Sequence, residues 1–456
     1  MMDALLEMCR IFLTTFALTL VMPIFWLVLL LVYMQYRRLA SREEKLFGRT
    51  INPIGRQMIT ALGFGALGGF AASIILVLLG LSLEQIGLYF LWPVALLLLL
   101  INPRYLCFSY AGGIVSAFVI LFRHILVPLF PVVTENFIID NLLMIHIPAL
   151  LVLIGLLHLV EALLIYVSGH LGSSPVYLKQ SDGKVVGAHI LQRFWPLPLV
   201  ALLVAVVPEV EIVGVSMPDW WPIIQSTLQP GTGESLQYMI IPVAAGLGYA
   251  DIALSTAPRE KTVSSAVWLA LYSVILLCLA VGSEYYSFLV LPGVIFAPLG
   301  HELLILYGNR QENNRPPLYR EGPYGVSVMM VLPASPADDA GLREGDLITK
   351  INGQQVTGNP DLLQKIDDSY FMIFIEGERK GESFSVVLKK RSSPTRDGFL
   401  NGKMERNRQT FNHPLLHRCA ALGLIPAPPA DSKIFLVMKQ GRSSKWLNKW
   451  KERIFK

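Results

Sequence analysis

The sequence is poor in charge. Of its 456 residues only 16% are Asp, Glu, Lys or Arg, where soluble chains carry about 25%. The deficit is concentrated before Arg310, so the first two-thirds of the chain is excluded from the soluble globular class. Cysteine is scarce too. Cys9, Cys107, Cys278 and Cys419 include no C-x-x-C pair, and three of them sit in or beside apolar runs. That pattern argues against disulfides and against Cys-based zinc sites. Catalytic signatures are missing as well: there is no P-loop, no G-x-S-x-G and no complete H-E-x-x-H. Each of those chemistries needs its residues at fixed spacing. No basic stripe is interleaved with aromatics, so neither a nucleic-acid partner nor a cofactor is expected. Asp3 and Glu7 near the start, with the basic cluster after the apolar run, argue against a cleavable signal peptide.

What the chain has instead is long apolar runs. Between Cys9 and Tyr307 they recur at the length that crosses a hydrocarbon core of about 30 Å. The reading is a polytopic α-helical membrane domain over residues 1–306 with about nine spans, at 11–34, 58–80, 86–102, 106–123, 141–168, 195–216, 238–256, 263–282 and 287–306. Backbone groups in lipid must be satisfied internally, so helices are expected throughout. Small residues at Gly63–Gly69 and Ala244–Gly248 would let neighbours pack closely.

Loop charge sets the expected orientation. Arg37, Arg38, Arg42, Lys45, Arg49, Arg56, Arg104, Lys179, Lys184, Arg193, Arg259 and Lys261 fall on one side, and Arg123 on the other. The expectation is a multi-pass protein of the cell membrane, with the N-terminus outside and the C-terminal region cytoplasmic.

Ionisable residues inside the spans are costly and point to function by default. His158 and Glu161 share a helix face, and Asp251, His301 and Glu302 join them as a candidate intramembrane polar cluster, with no metal assigned. His301-Glu302-Leu303-Leu304-Ile305 begins like a zinc-protease motif, but Ile305 stands where the second histidine belongs. An intramembrane metalloprotease relative of the site-2 type, or a transporter or sensor, is therefore the alternative reading.

After the linker 307–320 the pattern changes. Val331–Gly353 reads V-L-P-x-S-P-A-x-x-A-G-L-x-x-G-D-x-I-x-x-I-N-G. Ser335-Pro336 opens a short helix, Gly341 ends it, and Asn352-Gly353 is a hairpin turn. Residues 321–391 resemble a bacterial PDZ domain, a small α+β fold. The resemblance implies peptide binding by strand addition. Tyr324, Gly325, Val326, Val328 and Met330 would form one wall of the groove, and Leu362, Leu363 and Ile366 the other. Pro323-Tyr324-Gly325-Val326 is the nearest match to the family's carboxylate loop.

Residues 392–433 read as a flexible linker within a basic tail, 392–456. Trp446, Leu447, Trp450 and Ile454 with the surrounding Lys and Arg suit an amphipathic helix, 443–456, lying on membrane lipids.

The span LLHLVEALLIY and the loop His170–Trp195, which contains GSSPVYLKQSDGKVVGAHILQRFW, resemble the MinJ-type cell-division topology proteins of Gram-positive bacteria. That resemblance implies a non-enzymatic scaffold. It would bridge a DivIVA-like septal protein to MinC–MinD through its PDZ domain.

Overall fold

The computed structural model describes residues 2–390, except 48–49, 131, 133, 135, 181, 210–216, 219 and 323, together with 422–430 and 432. The expected amphipathic helix 443–456 and Cys419 lie outside the described residues.

The helices of the first part are α1 (Met2–Thr19), α2 (Pro23–Phe47), α3 (Ile54–Leu79), α4 (Leu88–Ile101), α5 (Phe108–Leu121, prolonged by a π turn to Leu129), α6 (Ile147–Ser168), α7 (Pro258–Tyr285) and α8 (Val290–Asn314). Among the described residues six helical stretches are long and apolar enough to cross a membrane. They are α2, α3, α5 with its extension, α6, α7, and α8 counted from Ser287. α4 is apolar but shorter. α6 is the central helix: every residue from Ile147 to His158 is buried. A helix apolar on all sides belongs in such a place.

The expectation of about nine helical spans is corrected in three ways. The first expected span, 11–34, is broken at 20–22, where Pro23 starts a new helix. The fifth loses its first residues to a separate helix, Phe137–Leu143. The sixth, as far as Pro208, and the seventh, as far as Ala253, are strands. β1 (Ser174–Lys179), β2 (Val185–Pro208) and β3 (Glu234–Ala253) form an antiparallel sheet in the order β1-β2-β3. β2 and β3 pair without interruption from Pro208↔Glu234 to His189↔Ala253. A strand buried on both faces is a near-continuous apolar run, which hydropathy cannot tell from a helix. Pro196, Pro198 and Pro242 are the local signs against helix.

A strand among apolar helices must still satisfy its backbone. β2 does so against α2, α3 and the turn that follows α3. The Tyr36 hydroxyl takes the Phe194 amide at 3.2 Å and donates to the Phe194 carbonyl at 3.1 Å. Pro196 and Pro198 have no N–H to satisfy. Their carbonyls lie against Gly65 and Gly69, where a Cβ would overlap them. The Val200 amide donates to Ser73 Oγ at 2.8 Å, Leu202 bridges to Ser82, and the Val204 amide donates to Glu84 at 3.2 Å. The spacing explains the fit. Four residues of helix rise about 6 Å and two of strand about 6.6 Å, so Gly65, Gly69 and Ser73 stay in step with Pro196, Pro198 and Val200. On its other side β3 is covered by α1 and α2.

The loops sort to two ends. At one end Glu43 accepts from the Ile51 and Asn52 amides, Asn52 reaches the Ser173 carbonyl, and Arg259 meets His170. Glu312 accepts from the Leu254 and Ser255 amides, and Lys261 lies between Asp251 and Glu312 at 3.4 and 3.8 Å. At the other end His146 meets Glu284 at 3.5 Å and Trp221 donates to the Val77 carbonyl.

The soluble part stands at the first of these ends. α8 runs to Asn314, so the expected linker shrinks to 315–320. The domain contains β4 (Gly325–Val331), β5 (Leu347–Ile351), α9 (Asn359–Asp368), β6 (Met372–Arg379), β7 (Glu382–Lys389) and β8 (Leu424–Pro426). Its sheet runs β8-β4-β5-β6-β7, with Glu321–Gly322 and Gln354–Gln355 as two-residue additions. Asp346, fully buried, holds Arg379 through both carboxylate oxygens and accepts from the Arg343 amide.

Candidate peptide groove and intramembrane cluster

The expected groove strand is interior to the sheet. β4 pairs with β5 on one side and with β8 on the other. Strand addition needs a free row of backbone groups, so Tyr324, Gly325, Val326, Val328 and Met330 cannot offer one. Val326 and Val328 are fully buried in the domain core instead. Pro323 lies outside the described residues. The terminal strand is β8, inside the stretch 392–433 whose composition predicts a linker. No strand pairs with its outer edge among the described residues.

β8 also faces the expected helix wall. Leu424 shares one hydrophobic cluster with Leu362, Leu363 and Ile366 of α9, and Leu422 packs against the same cluster. The Asn359 side-chain amide donates to the Ala427 carbonyl and ties the start of α9 to the end of β8. Gly423 precedes the strand with φ +81°, and a Cβ there would overlap Ser335. Leu422-Gly423-Leu424 is thus the apolar-Gly-apolar turn sought at Pro323–Val326. The signal was in the sequence, but residues 391–421 separate it from the rest of the domain.

The opposite face of β8 docks on the membrane part. Ile425 and Ala427 pack with Phe47, Tyr177, Val185, Tyr319, Met329 and Leu332. The Val185 amide donates to the Ala430 carbonyl at 2.9 Å, and the Gly187 amide to the Tyr319 carbonyl at 2.8 Å. The Tyr319 hydroxyl donates to Glu344. The strand bearing the open edge is therefore shared between the two parts of the protein.

The intramembrane residues separate into three groups. His158 and His301 come together, with ring centroids 5.2 Å apart, and Cys107, absent from the expected set, joins them. Glu161 lies within electrostatic reach of His158. Glu302 is drawn aside: Arg104 pairs with one of its oxygens, and the Tyr110 hydroxyl donates to the other at 2.7 Å. Asp251 stands apart at the base of β3, paired with Lys261 and accepting from Ser265 at 3.0 Å. Sequence reasoning missed Arg104 and Cys107 because they lie in the loop before α5 and meet their partners only through the fold.

Residues 327–370 match the PDZ domain family. The chain carries a PDZ domain. Over 229 residues it is 26% identical to the cell division topological determinant MinJ of Bacillus subtilis (strain 168), a match covering 50% of this chain and 54% of MinJ. The chain thus covers about half the length of that relative. The similarity to MinJ and the apolar helices make this a membrane protein related to a division determinant.

Proposed function

We propose that this chain is a membrane-embedded, non-enzymatic scaffold in division-site selection that takes an extended segment of a partner at the outer edge of β8. One observation carries the reading: the sheet ends in an edge strand opposite α9, and that strand is anchored to the base of the membrane part. Backbone pairing along β8 would supply affinity, and the apolar wall of Leu422, Leu424 and α9 would supply selectivity. Anchoring confines encounters to the membrane and raises local concentration.

The loop charge weighed above supports a cytoplasmic PDZ domain. In this reading its partners are a DivIVA-like septal protein and the MinC–MinD inhibitor, with membrane lipids around the core. The test is localisation in dividing cells. A fluorescent fusion of the full chain should gather at septa, and one lacking residues 422–456 should spread over the membrane. Even spreading of the full chain would sink the proposal.

A further inference from the structure

We propose that Cys107, His158 and His301 form a Zn2+ site that clamps the loop before α5 to α6 and α8 within the membrane part. The inference stands on the geometry of these side chains and is independent of the peptide groove.

The ligand atoms lie within 4.8 Å of one another. Cys107 Sγ is 3.2 Å from His158 Nε2 and 3.9 Å from His301 Nε2. Tetrahedral zinc with one thiolate and two imidazoles sets S···N separations at about 3.5 Å. The two observed distances bracket that value, so small side-chain shifts close the site.

Two of the three ligands are held in place by their surroundings. His158 is buried, and its Nδ1 is 2.7 Å from the Ile154 carbonyl. That contact fixes the proton on Nδ1 and leaves the Nε2 lone pair toward the sulfur, the arrangement metal-binding histidines use. Cys107 caps α5, and its Sγ accepts from the Ser109 amide at 3.4 Å. His301 Nδ1 is buried with no hydrogen-bond partner. A simple Cys–His hydrogen bond accounts for His158 only, because 3.9 Å is too long for a good second one. A cation held by the sulfur and the two Nε2 atoms accounts for the approach of both rings to Cys107.

Three protein ligands leave a fourth position for water, and the surroundings give that water no base. The Tyr110 and Tyr272 rings pack edge-on around the imidazoles. Glu302, the neighbour that could activate a zinc-bound water, is held by Arg104 and Tyr110 instead. One thiolate would offset part of the charge of Zn2+, which matters where water is excluded. Zinc of this kind would pin α8, the helix that leads into the PDZ domain.

The experiment uses the full chain in nanodiscs, purified without a polyhistidine tag. Elemental analysis should find one Zn2+ per chain. Co2+ exchange should give tetrahedral visible bands with a thiolate-to-cobalt charge-transfer band. Cys107→Ser should abolish the charge-transfer band, and Cys278→Ser, at an exposed site on α7, should leave it unchanged. A second arm needs no variant. Alkylation of Cys107 in the wild-type chain, followed by mass spectrometry of its peptide, should speed up at least tenfold after chelation and slow again with added Zn2+. Equal alkylation rates with and without metal, or a charge-transfer band that survives Cys107→Ser, would overturn the proposal.

Discussion

Ser73 and Val200 join a helix to a strand: the Val200 amide donates to Ser73 Oγ at 2.8 Å, and that hydroxyl donates onward to the Gly69 carbonyl at 2.6 Å. Both residues are fully buried. Ser73→Ala leaves the amide without a partner in an apolar setting, at a cost of about 1–3 kcal/mol. Thermal unfolding in detergent should show the loss, and an unchanged midpoint would mean that another group satisfies Val200.

Gly65 and Gly69 admit the Pro196 and Pro198 carbonyls to the helix surface. The double change Gly65→Ala, Gly69→Ala forces the hairpin away from α3. The expected outcome is loss of monodisperse protein on size exclusion. The same double change at Gly55 and Gly63, where added Cβ atoms meet nothing, should be tolerated.

The peptide edge can be tested apart from the fold. Leu422 is only partly buried against the groove cluster, whereas Leu424 is fully buried within it. Leu422→Ala should weaken partner capture several-fold with little effect on stability. Leu424→Ala should cost about 2–4 kcal/mol as a cavity forms. Equal effects of the two on partner pull-down and on unfolding would remove the distinction between wall and core.

The Asp346–Arg379 pair is anchored on a carboxylate with no exposure, while Arg379 retains 29%. Removing Arg379 strands the buried charge. Arg379→Ala should cost about 2–4 kcal/mol, read as faster hydrogen exchange in β5 and β6. Exchange at the wild-type rate would count against the pair.

Acid should act at the start of α9. The Lys365 ammonium beside Asp361 holds that carboxyl below its usual value of 3.8, and the Thr357 amide adds to the effect. A depressed carboxyl stabilises the fold above its unfolded value and loses that contribution as pH falls through the folded one. Asp361→Asn should therefore loosen α9 by about 0.5–1 kcal/mol at neutral pH. The gap to wild type should close below pH 3.8. A gap that persists in acid would point away from the ion pair.

Legibility in the sequence followed chemical locality. The Val331–Gly353 motif lies within one stretch of chain, and the PDZ domain could be read from it. Seven of the nine expected spans overlap helices, and six of those helices are long and apolar enough to cross a membrane. β2 and β3 escaped notice because both are near-continuous apolar runs, and in β2 burial on both faces erases the alternation that marks a strand. Their clues were Pro196, Pro198 and a partner stripe at Gly65, Gly69 and Ser73, more than a hundred residues away. The meeting of Cys107, His158 and His301 has no local signature at all.

The position of β8 also matters during synthesis. β4 to β7 and α9 leave the ribosome first, and residues 391–421 must follow before Leu424 can close the sheet. Until then β4 presents Val328, Met330 and Val331 as a raw edge, the kind of surface that invites aggregation. A protease cut between Lys390 and Leu422 that releases the tail would recreate that state in a finished molecule still held in the membrane. Loss of β8 from a finished molecule would thus expose the same edge that synthesis exposes for a time.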